Sequence, residues 1–162
     1  MFRLHCSSLN PFVIRAIDDK GNEIDSKSLV IKNVGTFEIL YWVSDVNCTV
    51  DRKSEILDIP PRIVDNRTFL PADTLSEHFR LNVNVSDDSI TLKRDNMTNI
   101  MTIGKPEFEL SGKKRFMDTK PFIEDGRIWL PVRFVSEEFG GAVNWDSLEK
   151  SVEITFYLHP EM

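Results

Sequence analysis

Between Pro121 and Trp145 the apolar positions follow first a period of two and then a helical period, and the change marks out a hairpin, a helix and a strand. Phe122-Ile123-Glu124 and Arg127-Ile128-Trp129-Leu130 alternate on either side of Asp125-Gly126. Asp-Gly between two β-rich runs predicts a type I′ hairpin turn, whose central residues both need positive φ. Such a turn pairs Glu124 with Arg127, Ile123 with Ile128, Phe122 with Trp129 and Pro121 with Leu130. Alternation then puts Pro121, Ile123, Ile128 and Leu130 on one face and Phe122, Glu124, Arg127 and Trp129 on the other. From Pro131, which suits the first helical position, the period lengthens. Val132, Val135 and Phe139 form one helical stripe, and Gly140-Gly141 supplies a left-handed stop. Ala142–Trp145 and Ser151–Phe156 read as strands joined by the polar loop Asp146 to Lys150.

The same pattern is written earlier in the chain. Shifting by sixty residues aligns Val46–Val85 with Pro106–Trp145 without a gap, and thirteen of the forty pairs are identical. Beyond that, two extra residues in the second copy carry Ile90 onto Val152. A self-match of this kind indicates a duplicated supersecondary unit. Asn66 stands where the second copy has Gly126, and Asn tolerates positive φ best after Gly. Arg80-Leu81 replaces the Gly pair, so the first helix is expected to lack a C-cap and fray. Pro61/Pro121, Ile63/Ile123 and Leu70/Leu130 are expected to face the core. Phe69/Trp129 and Phe122 then point the other way.

Met101-Thr102-Ile103-Gly104, Gly112-Lys113-Lys114, Met117-Asp118, Pro121, Gly126-Arg127, Leu130 to Val135, Glu138-Phe139-Gly140 and Val143 to Asp146 together resemble the copper amine oxidase N-terminal-like domain, the stalk domain of bacterial surface proteins. The resemblance is specific over 98–157 and weaker over 38–98, where Gly-Gly and Trp-Asp are missing; it does not take in 1–37. It implies an α+β fold of two repeated units, each a twisted antiparallel sheet packed on one short helix; the β-type runs before residue 37 add an N-terminal β extension. The corresponding domains are 1–37, 38–98 and 99–162. It also implies an accessory, non-catalytic module of a bacterial cell-envelope or secreted protein, extracellular or in the cell wall.

Elsewhere in the chain, Phe12–Ile17 and Ser28–Lys32 read as strands around the polar loop Asp18 to Glu23, a hairpin expected to join the first unit's sheet. Thr36–Ser44 is a further strand, and Ile90–Lys93 another between turns at Asp87-Asp88-Ser89 and Asp95-Asn96. No low-complexity linker separates the copies, so they are expected to pack together.

Composition narrows the partners. A net charge of −6 over 162 residues argues against nucleic acid and anionic membrane, which both need a basic surface. No apolar run reaches the roughly 18–20 residues of a membrane span. Met1 to Pro11 has no apolar core of a signal peptide. Two alternatives stand: Met1 is not the native start and a signal was removed ahead of it, or Met1 is native and the protein is cytoplasmic or a virion component.

Candidate chemistry is sparse. His5, His78 and His159 lie one in each region with no ligand spacing, and the copper of the amine oxidases belongs to a different domain, so no metal or cofactor is expected. His78 aligns with Glu138 and reads as a solvated helix position. Asp18 to Glu23 has the oxygens of a calcium loop, but Gly comes fourth and Lys third, which suits a turn better. Cys6 and Cys48 make no disulfide framework. Neither has a base beside it, no G-x-S-x-G occurs, and Glu77/Glu137 read as a solvated helix face, so the chain is not expected to be an enzyme. Aromatics remain. Trp129, Phe122 and Phe69 on the non-core hairpin face, with Arg127 beside them and Trp42 next to Tyr41, are the candidate binding residues. That face is either covered by the other unit or a second chain, or open as a platform for glycan or protein. Self-association through sheet edges is the assembly-protein alternative; a wall-directed carbohydrate enzyme using Asp/Glu pairs is a weaker one.

Overall fold

The computed structural model describes residues 16–17, 23–25 and 35–158. The chain divides into two compact units, Met1–Gly35 with Leu158–Met162, and Thr36–Tyr157. In the first, β1 (Ala16–Ile17) pairs antiparallel with β2 (Glu23–Asp25), and among the described residues these form a two-stranded sheet of their own. Glu23 opens β2 instead of closing the loop. The strand expected at Ser28–Lys32 lies outside the described residues.

The second unit begins with β3 (Gly35–Trp42), β4 (Asn47–Val50), β5 (Lys53–Ile56), β6 (Arg62–Val64), β7 (Arg67–Pro71) and α1 (Ala72–His78). A second run follows: β8 (Asn82–Ser86), β9 (Ser89–Arg94), β10 (Met97–Thr102), β11 (Glu107–Leu110) and β12 (Lys113–Phe116). The chain closes with β13 (Phe122–Glu124), β14 (Arg127–Pro131), α2 (Val132–Glu138), β15 (Gly141–Asp146) and β16 (Ser151–Leu158). It is an α+β fold of mostly antiparallel sheets with two short helices.

Turn chemistry explains the hairpins. Asp65 and Asn66 have φ of 47° and 60°, and Asp125 and Gly126 have 51° and 74°, so both turns adopt the paired positive φ of type I′. Phe122 sits opposite Trp129 and Ile123 opposite Ile128, while Arg62 faces Phe69 and Ile63 faces Thr68. The two hairpins join through β7 and β14, with Leu70 opposite Leu130, to make one sheet in the order β13-β14-β7-β6. Pro131 is the last residue of β14 and the N-cap of α2, not its first helical residue.

The end of α1 also differs from expectation. Arg80 takes the left-handed conformation (φ 54°) that Gly140 takes after α2 (φ 81°). Its N–H donates to Glu77 O at 3.3 Å, and the Leu81 N–H donates to Ser76 O at 2.9 Å. Thus α1 is capped in the Schellman manner without a glycine. Gly141 has a separate constraint: a Cβ there would lie 2.8 Å from the Phe156 ring and 3.0 Å from Ser136 O.

Strands from the two sequence copies share sheets. One five-stranded sheet runs β12-β11-β10-β9-β8, the other β15-β16-β3-β4-β5. In the first, β9 turns directly into β10 at Asp95 (φ 52°) and Asn96. In the second, β16 and β3 occupy the equivalent neighbouring places with no turn between them. The flanking bond is conserved between the copies: Ile103 N–H donates to Asp88 O at 2.8 Å, and Val43 N–H to Lys150 O at 2.9 Å.

Among the described residues one core gathers Ile39, Tyr41, Leu70, Leu75, Phe79, Ile90, Met101, Leu130, Val135, Phe139 and Ile154. Against it the half-buried Arg94 guanidinium lies 5.4 Å from the Phe139 ring centroid and 4.8 Å from that of Phe156. It donates to Phe79 O at 3.3 Å and also to Phe139 O, thereby bonding the C-cap carbonyls of both helices. Burial pushes its pKa down from the ordinary arginine value. Asn99, unlike Arg94, is a fully buried polar residue, at the place where the first copy has Ile39. Neither its Oδ1 nor its Nδ2 meets a hydrogen-bond partner among the described residues. An unpaired buried amide is costly, so Asn99→Ile should raise the urea midpoint, by about 1–3 kcal/mol of stability. An unchanged or lowered midpoint counts against an unpaired amide.

Candidate functional site

Pairing of β7 with β14 gives the aromatic residues their surroundings. Phe69 and Trp129 project from the face opposite Leu70 and Leu130, as alternation requires, yet they are only 1% and 4% exposed. The Phe122 ring stacks on Trp129 with centroids 6.1 Å apart and planes within 5°, and meets Phe69 edge-on at 5.0 Å. Over them lies Arg62, its guanidinium 3.6 Å from the Trp129 ring and 5.3 Å from Phe122. Glu124 pairs with Arg62 and holds it there. Of the two readings of this face, the structure has the covered one: a side chain from the first copy lies over it, at the position where the second copy has Phe122 itself.

Arg127 is half-buried and reaches Asp73 at 3.2 Å, and Trp42 is half-buried beside fully buried Tyr41. A small cleft of about 320 Å³ beside Trp129 also borders Arg62, Glu124 and Arg127. Conversely, Ile63 and Ile123, assigned to the core, are 45% and 53% exposed. They sit on the outer strands of the sheet, and helices of seven residues leave them uncovered.

A larger groove of about 690 Å³ runs between β12, α2, β15 and the tip of the first hairpin. Phe116, Phe134, Trp145 and Ile63 give it apolar walls, and Phe116 is 74% exposed. Phe134 is steadied from behind by Phe108, edge to face at 4.5 Å. Across the groove Arg67 Nε donates to Asp118 Oδ2 at 3.0 Å and Arg67 Nη1 to Asn66 O at 3.0 Å. The hydrogen bond from Arg67 holds the Asp118 carboxyl below the usual carboxylate range. Arg133 meets both Glu137 Oε1 and Val143 O at 3.4 Å. Glu138 faces Arg115 at 4.0 Å, and burial raises its carboxyl despite that cation. Each of these carboxylates has a basic partner in place. None of these wall residues was singled out as a site from the sequence.

The first copy fills the equivalent place differently. Its pair is Glu55 and His78, the reverse of Arg115 and Glu138 in sense. His78 is buried, not solvated as its alignment with Glu138 suggested. The Tyr41 hydroxyl lies 2.7 Å from Nδ1, and Glu55 lies 3.4 Å from Nε2. These partners suit the neutral ring, with Tyr41 donating to Nδ1 and Nε2–H aimed at Glu55. Cys48, opposite Tyr41 and Glu55 in the sheet, is a free thiol whose pKa burial pushes up to about 11. It is thus a neutral thiol near pH 7 and a poor nucleophile. Among the described residues no three His, Cys, Asp or Glu gather as a metal site, and no helix is long and apolar enough to cross a membrane. Cys6, His5, His159 and the loop at Asp18 lie outside the described residues.

Two outcomes follow. Trp129→Ala should cost about 3–5 kcal/mol in a urea titration, as loss of a buried Trp does; a cost near zero would show that its burial contributes nothing. Burial, opposed by Glu55 and then Glu77, depresses the His78 pKa below its ordinary value. The unfolded ring, with a pKa of about 6.5, takes up a proton that the folded ring resists. Stability should therefore be full above about pH 6.5 and fall as the pH drops toward the folded pKa. His78→Gln should flatten that fall in urea midpoints followed through this range, and an unchanged slope would assign the pH dependence to other groups.

No match was found among curated proteins or among solved structures. The family described as copper amine oxidase N-terminal domain matches residues 13–89 and again residues 49–154. The first match reaches back to residue 13, into the segment that the sequence resemblance left out. With two matches that together take in most of its length, the chain belongs to the copper amine oxidase N-terminal domain family, in tandem copies.

Proposed function

We propose that the chain is a non-catalytic binding and structural module of a bacterial cell-envelope or secreted protein. It is built from two sequence copies that share their antiparallel sheets and supply one short helix each, and it holds a wall glycan in the groove beside Phe116. The family supports the non-catalytic part, since it is the N-terminal domain and not the catalytic one. The observation that carries the binding part is Phe116, a large apolar ring 74% exposed on a groove that also offers Phe134, Trp145 and a fixed Arg67–Asp118 pair. Flat rings beside fixed polar groups suit a sugar, which stacks its C–H face and hydrogen-bonds at its rim. Phe69, Phe122 and Trp129 do not line that groove, and Phe69 and Trp129 are buried, so this set has no part in the binding. A protein partner on the same surface is the alternative occupant.

Co-sedimentation with insoluble wall polysaccharide tests this reading, with Phe116→Ala and Arg67→Ala as variants. Binding should weaken about tenfold or more in each, the size expected of a central contact, with urea midpoints close to the parent. Equal binding by parent and variants would take the groove out of the function; no binding by the parent would overturn the glycan.

A further inference from the structure

The two five-stranded sheets are equivalent in composition, but only one is closed by the chain. Between β9 and β10 the Asp95-Asn96 turn makes the junction covalent. The equivalent junction between β16 and β3 has no connecting turn and is held by strand pairing and side-chain packing, with the Val43 N–H to Lys150 O bond at its end. We propose that this seam opens, and that β3 to β5 of one chain seat against β15 and β16 of a second copy of the same chain.

The seam has the character of a core and not of an edge. Ile39 and Tyr41 on β3 and Val152, Ile154 and Phe156 on β16 are all buried. The Phe37 ring lies 6.4 Å from that of Phe156 across it. An opened seam would leave this apolar set in water, so it must close again, on its own chain or on another. Any second copy presents the same complementary strand, which makes strand exchange an inexpensive route to self-association. The arm has a natural hinge as well. β5 connects to β6 through Leu57 to Pro61, ending in Pro60-Pro61, and consecutive prolines keep such a linker extended. Once exchanged, the arm would bring its Tyr41 to the partner's α1 just as it now meets His78. Within one chain the arm closes at an effective concentration on the order of millimolar, so exchange needs refolding from concentrated solution and persists after dilution because reopening is slow.

The test is to unfold the full chain, refold it at rising concentration and measure mass by light scattering. A parallel mixture of two variants reports the seam directly. By the register of Thr98 opposite Lys93, the shift puts Glu38 opposite Thr155. Glu38→Cys and Thr155→Cys chains are refolded together and oxidised, and disulfides are mapped by mass spectrometry so that Cys6 and Cys48 do not confuse the result. We expect a dimer in the parent and a bond joining position 38 of one chain to position 155 of the other. The variant with both substitutions, oxidised as folded monomer before the concentration step, should stay monomeric. A parent that is monomeric after every refolding, or a dimer that forms equally well in the locked variant, overturns the proposal.

Discussion

Everything in the second unit depends on the buried pairing of β7 with β14. Leu70 faces Leu130 across it, and each strand ends in a proline that leads into a helix. Proline cannot donate to a ladder, so the sheet stops there and both strands leave it at equivalent points. Because both central strands are covered on both faces, residues at odd and even positions are equally buried near the junction. Leu70 and Leu130 enter the main core, while Phe69 and Trp129 are closed off beneath Arg62. The same pairing sets α1 and α2 on one sheet and brings their C-cap carbonyls within reach of a single guanidinium.

That junction also decides how the copies are connected. Each sends its last strands into a sheet completed by the other, so neither has a core made of its own residues alone. The groove shows what this sharing permits. Its floor comes from the second copy and one wall, with Ile63 and Arg67, from the hairpin of the first. Duplication made two equivalent places, and substitution then made them unlike. Tyr41 and His78 fill one, whereas Phe116, Phe134 and Trp145 line the other.

The hairpins, the helices and the repeat were legible in the sequence because their causes are local. Asp125-Gly126 and Asp65-Asn66 specify their turns by backbone sterics, and the stripe Val132, Val135, Phe139 specifies α2 by period. What covers each face was not legible, since that depends on partners far along the chain. Alternation sorted Ile123 from Trp129 correctly into two faces but could not say that Ile123 would lie on an outer strand. His78 looked solvated beside Glu138 because its partner Tyr41 is thirty-seven residues away. The Arg80 cap was missed for another reason: left-handed geometry favours glycine without requiring it. The groove residues carry no spacing at all, and only the fold brings Phe116 near Trp145.

Position 94 gives the duplication a direction. Under the shift, Arg94 corresponds to Phe156, and the two now lie against each other, cation over ring. Two identical first halves joined in this way would place two guanidiniums before one pair of helix-end carbonyls, where they would repel. Two identical second halves would place two phenyl rings there and leave both carbonyls without a donor. Only an unlike pair gives one cation to two acceptors. At this one contact, therefore, the two halves of the chain are complementary and not interchangeable.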